Sequence, residues 1–277
     1  MKLLLERTVS DSPQEEELDV LRRLARGPTG HDERLVPEVA DSNNVAQHLM
    51  RYRFSLPYCV DKVILDSGTG MGYGANMVAG VAKRVYGVDY DENPIRYARR
   101  KYPSTRLRFL VGDVTELPLS SASADVVLSF EVVEHIADHG RLLRETCRVL
   151  SRDGVLVIST PNRETAQLFR HKAGFTWDAH VSEVGLDTFR KELQEYFAHV
   201  RIWGMRLRGS LLYGILRPLD PWNLRLRLLP KVGITFAREK VFHVPSQGVS
   251  CDDVVISRRQ LRQANHFLAV CSRSIPK

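Results

Sequence analysis

Val63-Ile64-Leu65-Asp66-Ser67-Gly68-Thr69-Gly70-Met71-Gly72-Tyr73-Gly74 is the stretch that decides the fold. A short apolar run ends on an acid, enters a turn with glycine at every second position, and continues into residues of helical periodicity. Glycine lets the backbone take positive φ and approach a ligand closely, and the helix that follows presents unbonded N–H groups. Moving outward from this loop, short β-branched runs predict strands at 63–65, 84–88, 107–111, 126–130 and 155–159. Amphipathic stretches between most of them predict helices at 72–83, 93–101 and 138–150. Continuous apolar strands alternating with helices specify a doubly wound α/β fold, a mostly parallel sheet covered on both faces.

The flanking regions are organised differently. Ser12-Pro13-Gln14-Glu15 is a helix start, with a capping hydroxyl, proline at the first helical position and glutamate at the third. Leu18, Leu21 and Leu24 then share a face, and Gly27 is a natural stop. Residues 1–44 are therefore expected to form an N-terminal helical arm, and 45–277 the main domain, entered through a helix at about 45–58. After 160 the alternation loosens. Leu186, Phe189, Leu193 and Phe197 mark one more helix, and 200–205 and 266–272 two more strands. The stretch between these strands, about 206–265, lacks periodicity and is expected to be a cap or lid.

The chain has 277 residues, 43% hydrophobic and 26% charged, which excludes extensive disorder. No apolar run is long enough to span a membrane, and the first residues are too short an apolar stretch for a secretory signal. Four scattered cysteines without metal or redox spacing fit reduced thiols. A cytoplasmic protein, with membrane association as an extension, is the expectation. The net charge of +7 is unevenly distributed: −2 over 1–59, zero over 60–160 and +9 over 161–277. Between Met205 and Lys231 six basic residues stand against Asp220 alone, mixed with many leucines and Trp222. That mixture suits an anionic membrane surface or a lipid-linked or phosphorylated acceptor better than a nucleic-acid face, so nucleic acid is not favoured.

Two further strand ends carry acids. Asp89 closes the second strand about twenty residues after the glycine loop, where a carboxylate can take both hydroxyls of a ribose. Asp113 closes the third, where it can accept from an adenine amino group while the Val114 N–H meets a ring nitrogen. For a dinucleotide, Gly68-x-Gly70 should lead to a third glycine, but position 73 is tyrosine. The frame starting at Gly70 fits better, yet Asp66 stands where a pyrophosphate would be repelled. An acid there suits the ammonium end of a methionine, which favours S-adenosylmethionine.

With these residues in place, the chain resembles the class I S-adenosylmethionine-dependent methyltransferases. The resemblance is carried by 65–72, Val88-Asp89, Gly112-Asp113, Phe130-Glu131-Val132-Val133-Glu134-His135 and Ser159-Thr160-Pro161-Asn162-Arg163, and covers about 45–205 plus the final strand. It implies a seven-stranded sheet whose last strand is antiparallel. It also implies a cofactor site formed by Asp66, Gly68, Gly70, Gly72, Asp89, Tyr90, Asp113, Val114 and Phe130, with Arg51 or Tyr52 holding the methionine carboxylate. Glu33-Arg34-Leu35-Val36-Pro37-Glu38 followed by His48-Leu49-Met50-Arg51-Tyr52 is similar to a subgroup often associated with cell-surface polysaccharide biosynthesis.

Methyl transfer from a sulfonium needs a positioned acceptor and, for a hydroxyl, a base. His135 is the base candidate, with Glu134 and His180 as further catalytic candidates. Glu131, Glu134 and His135 are also similar to the Glu-x-x-Glu-His set that ligates a divalent cation in some O-methyltransferases, but a metal is the less favoured reading. Enzymes that methylate nucleobase amines usually place Asn/Asp-Pro-Pro-aromatic where this chain has Ser129-Phe130-Glu131-Val132. The expectation is O-methylation of a sugar, glycan or other small hydroxyl acceptor. RNA methylation through the basic insert and a non-catalytic cofactor-binding protein are the alternatives.

Overall fold

The computed structural model describes residues 15–26, 34–166, 181–208 and 249–273. Its centre is one eight-stranded sheet in the order β3-β2-β1-β4-β5-β8-β6-β7. The strands are β1 (Val63–Ser67), β2 (Arg84–Asp89), β3 (Leu107–Val111), β4 (Ala124–Phe130), β5 (Leu150–Pro161), β6 (His199–Leu207), β7 (Val254–Ser257) and β8 (His266–Ser272). The helices are α1 (Glu15–Ala25), α2 (Ser42–Cys59), α3 (Tyr73–Ala79), α4 (Glu92–Lys101), α5 (His139–Val149) and α6 (Leu186–Gln194).

The five strands from β1 to β5 pair in parallel, as the apolar runs predict. Consecutive residues serve opposite faces: Ile64 packs with α3 and α4 residues such as Val78 and Ile95, whereas Leu65 joins the cluster of Leu142, Phe189 and Phe197. In β4 the register shifts between Ala124 and Val126, which puts Ala124 on the face opposite Val126. Because β1 lies between β2 and β4, the chain order reverses there, and the crevice beyond the carboxyl ends of β1 and β4 is where ligands of such sheets bind.

The expectation of seven strands with a single antiparallel one is corrected. Strand β8 runs antiparallel between β5 and β6, and β7 adds an antiparallel edge to β6 through Met205↔Ile256 and its neighbours. The extra strand falls in the stretch expected to be a cap. Residues 209–248, most of that stretch, lie outside the described residues, as does the expected helix start at Ser12.

The antiparallel course of β8 has a functional consequence. Its first residue, His266, is level with Pro161, the last residue of β5, and so sits at the ligand edge of the sheet. The N-terminal arm reaches the same edge. Leu21, Ala25 and Val36 bury Met71 of the glycine loop, and Arg34 pairs with Asp91 at 3.1 Å at the start of α4.

Candidate active site

A cavity of about 1340 Å³ opens along this edge. Its cofactor side is the glycine loop, in which Gly68, Gly70 and Gly72 have φ of +80°, +53° and +79°. A side chain on Gly68 would overlap the Val132 side chain, just beyond the end of β4, and would be strained at that φ, so the position suits glycine. At Gly70 a Cβ would meet nothing within 4 Å, because that position faces the open cavity. Gly72 precedes the first residue of α3. The Asp89 carboxylate accepts from Gly70 N (2.9 Å) and Asp91 N (3.2 Å), tying the loop to the end of β2. Burial raises its pKa, against those N–H groups and Arg34.

Tyr90 and Asp113 line the cavity, with the Arg34 guanidinium 5.4 Å from the Tyr90 ring centre. Asp113 accepts from Thr115 N (2.7 Å) and Thr115 Oγ1 (2.8 Å), and Val114 is buried beside it. Phe130 lines the wall and packs edge-on against Tyr52, with ring centres 4.9 Å apart.

Asp66 has a different setting from the one its sequence position suggests. It is 1% exposed, and accepts from Tyr52 OH (3.1 and 3.2 Å) and Thr69 Oγ1 (2.6 Å). Burial raises its pKa to about 6, with the Thr69 and Tyr52 hydrogen bonds opposing. It braces the loop from behind by holding Tyr52, whose ring lies where a side chain on Gly74 would be. Of the two candidates for the methionine carboxylate, Tyr52 is thus occupied by Asp66. Arg51 is the available cation: it is 1% exposed, and its Nε and Nη1 have no hydrogen-bond partner among the described residues.

The third nitrogen of Arg51, Nη2, lies 3.0 Å from Glu131 Oε2. Glu131 follows β4 with φ of +55°, a conformation that costs a non-glycine residue about 1–2 kcal/mol. The strain is offset by dense contacts: Glu131 Oε2 also lies 3.3 Å from His266 Nε2, and Oε1 accepts from Ser159 Oγ at 2.8 Å. Burial alone would raise this carboxyl, but Arg51, then His266 and His48, hold it down at about 2. His48 meets Tyr73 OH at 2.9 Å, and burial followed by the Arg51 charge lowers it to about 3, so its imidazole is neutral.

Glu134 and His135 occupy a single 3-10 turn, Val133–His135, and both line the cavity. Burial, and next the charge of Glu131, push the Glu134 carboxyl well above its ordinary range. His180 lies outside the described residues. Among the described residues no group of three or more His, Cys, Asp or Glu is arranged to hold a metal ion, and no helix is long and apolar enough to cross a membrane.

The sequence reading missed the parts played by His48 and His266. His48 precedes Arg51 by three positions, the spacing that puts both on one face of α2, so a face-by-face reading would have found it. His266 becomes legible only once β8 is known to run antiparallel.

The residues present fit S-adenosylmethionine. A buried guanidinium with two unpartnered nitrogens suits its carboxylate, a carboxylate at the end of β2 suits its ribose, and Gly70 leaves room between them. Comparisons with known proteins agree. Residues 65–158 match the methyltransferase domain family. A probable S-adenosylmethionine-dependent methyltransferase of Mycobacterium tuberculosis is 42% identical over 134 residues, 48% of each chain. A ubiquinone biosynthesis O-methyltransferase of Caulobacter is 33% identical over 114 residues, 40% of this chain and 45% of that one. A solved S-adenosylmethionine-dependent methyltransferase from Archaeoglobus fulgidus shares the fold, with a TM-score of 0.53 at 18% identity over 83% of this chain and 93% of that one. This chain spans about half the length of the curated relatives it matches.

Residues 65–158 are thus similar to a methyltransferase domain, within a fold shared with solved methyltransferases. The cofactor is S-adenosylmethionine.

Proposed function

We propose that the protein transfers the methyl group of S-adenosylmethionine to a hydroxyl of a small molecule, with a sugar or glycan as the leading acceptor class. The observation that carries this reading is one continuous cavity joining the cofactor residues Gly70, Asp89 and Arg51 to Phe130 and His135. The cofactor supplies an electrophilic methyl on a sulfonium. Arg51 anchors the methionine end through Nε and Nη1, Asp89 fixes the ribose, and Asp113 and Val114 border the adenine. Phe130, pinned by Tyr52, lines the passage between cofactor and acceptor and helps keep water from it. His135 accepts the proton of the acceptor hydroxyl as the oxygen–carbon bond forms. The resemblance between 33–52 and a polysaccharide-associated subgroup supports a sugar acceptor, and the similarity to the Caulobacter O-methyltransferase supports oxygen as the methylated atom.

The test is label transfer from radioactive S-adenosylmethionine into separated small-molecule, glycan and RNA fractions of a cell extract. Label in a small-molecule or glycan fraction is expected, with His135→Ala slower by about 10²–10⁴-fold. Label confined to RNA, or none in any fraction, would overturn the proposal.

A further inference from the structure

His135, the proposed base, sits on the single 3-10 turn Val133–His135, and a turn that short is weakly held by its own hydrogen bonds. Its ladder runs from His135 N to the Val132 carbonyl at 3.0 Å and from Ile136 N to the Val133 carbonyl at 3.1 Å. The carbonyls of Glu134 and Ile136 lie past the end of that ladder and need donors from elsewhere. Ser182 supplies both. Its N–H donates to the Glu134 carbonyl at 3.1 Å, and its hydroxyl donates to the Ile136 carbonyl at 2.8 Å. The same hydroxyl has the carbonyls of Val133 and Glu134 within reach at 3.3 and 3.5 Å, so it straddles the whole turn.

Ser182 is held in turn from its other side. Nε2 of His139, the first residue of α5, lies 2.7 Å from Ser182 Oγ, and His139 Nδ1 lies 2.9 Å from Glu192 Oε2 of α6. With a partner on each nitrogen, the ring cannot turn without losing both contacts. Val133 and Val184, on either side of the contact, are buried in the core cluster of Leu142 and Phe189. A chain of side chains thus runs from two helices to the turn that carries His135. Its three members line a second cavity of about 870 Å³, and none is among the described residues that line the cofactor cavity. Their influence on the chemistry therefore passes through the turn. We propose that Ser182, backed by His139 and Glu192, is a positioning residue for the methyl transfer, fixing where His135 stands against the acceptor hydroxyl. The inference rests on the proposed role of His135, but the brace itself can be tested without an acceptor. A base must stand within hydrogen-bond reach of the proton it takes, and a misplacement of about 1 Å costs up to about 10²-fold in rate. Cofactor binding should not change, since Arg51, Gly70 and Asp89 lie on α2, in the glycine loop and at the end of β2.

The deciding variants are Ser182→Ala, Ser182→Thr and His139→Ala, each first checked for S-adenosylmethionine affinity by calorimetry. In protein labelled with carbon-13 histidine, the imidazole signal that disappears in His135→Gln identifies His135. That signal is expected to shift or broaden in Ser182→Ala and in His139→Ala, and to keep its place in Ser182→Thr, which retains the hydroxyl. An unmoved His135 signal in Ser182→Ala would overturn the proposal. In the extract assay Ser182→Ala is expected to lose about 10–100-fold in the rate of label transfer, and Ser182→Thr to stay within about threefold of wild type. His139→Ala alone should lose about threefold or more, yet less than about twofold further when added to Ser182→Ala, because it acts through the hydroxyl. Additive losses, or a Ser182→Ala protein as fast as wild type, would also overturn it. Should Ser182→Ala fail to bind cofactor, His139→Ala carries both measurements, and an unmoved signal there has the same force. A wild type that transfers no label would count against the methyl-transfer reading instead, and the histidine spectra would still decide whether Ser182 holds His135.

Discussion

Arg51 holds two ends of the site at once. One nitrogen keeps Glu131 ionised, and the other two have no hydrogen-bond partner among the described residues, which leaves them for the cofactor in the proposed reading. Removing it should expose this double role. Arg51→Met leaves a buried carboxyl without its main counter-charge, and breaking such a pair from one side costs about 3–5 kcal/mol. The pH dependence has a definite sign. Glu131 is held at about 2 against its ordinary value of 4.5, so its pairing stabilises the native state fully above 4.5 and is lost as the pH falls through 2. The stability gap between wild type and Arg51→Met, measured by denaturant titration, should therefore be wide at pH 7 and narrow by about 3 kcal/mol towards pH 2. A gap independent of pH would show that Arg51 does not hold the Glu131 charge.

Among the elements, α1 and the segment that follows it work on the cofactor side rather than as an independent arm. Leu21, Ala25 and Val36 enclose Met71, and Arg34 bridges to Asp91. Leu21 is 1% exposed, and its truncation to alanine should cost about 2–5 kcal/mol of local stability at the loop. Hydrogen exchange should show faster exchange across 68–72 in Leu21→Ala, with β4 and β5 unchanged. Uniform loss of protection would mean that α1 stabilises the whole sheet instead. The elements also mark how far the sequence could be read. Strands β1 to β5 and the glycine loop were legible because their signals are local: apolar runs, β-branched residues and closely spaced glycines. Strand β7 was not, since among the described residues its four residues pair with β6 alone and, after the buried Val254, are half-buried, leaving no alternation to detect. The setting of Asp66 was hidden for a related reason. Its partner Tyr52 lies fourteen residues away on α2, and only tertiary packing brings the hydroxyl to the carboxylate. The residues expected to form the cofactor site lie along one cavity, while the Tyr52–Asp66 pairing behind it depended on packing.

At the scale of the molecule, the net charge of +7 and the cofactor site belong to different parts of the chain. Residues 60–160, which contain the glycine loop and the ends of β2, β3 and β4, are electrically neutral, and the excess lies after 160. Cofactor binding should accordingly depend little on ionic strength, because its contacts are buried pairs rather than a charged surface. The most direct measurement is a calorimetric titration of the protein with S-adenosylmethionine, paired with a thermal melt. One molecule bound per chain, a raised melting temperature and a loss of about tenfold or more in affinity for Asp89→Ala are the predicted results. No heat and no thermal shift with the wild-type protein would contradict the account at its centre.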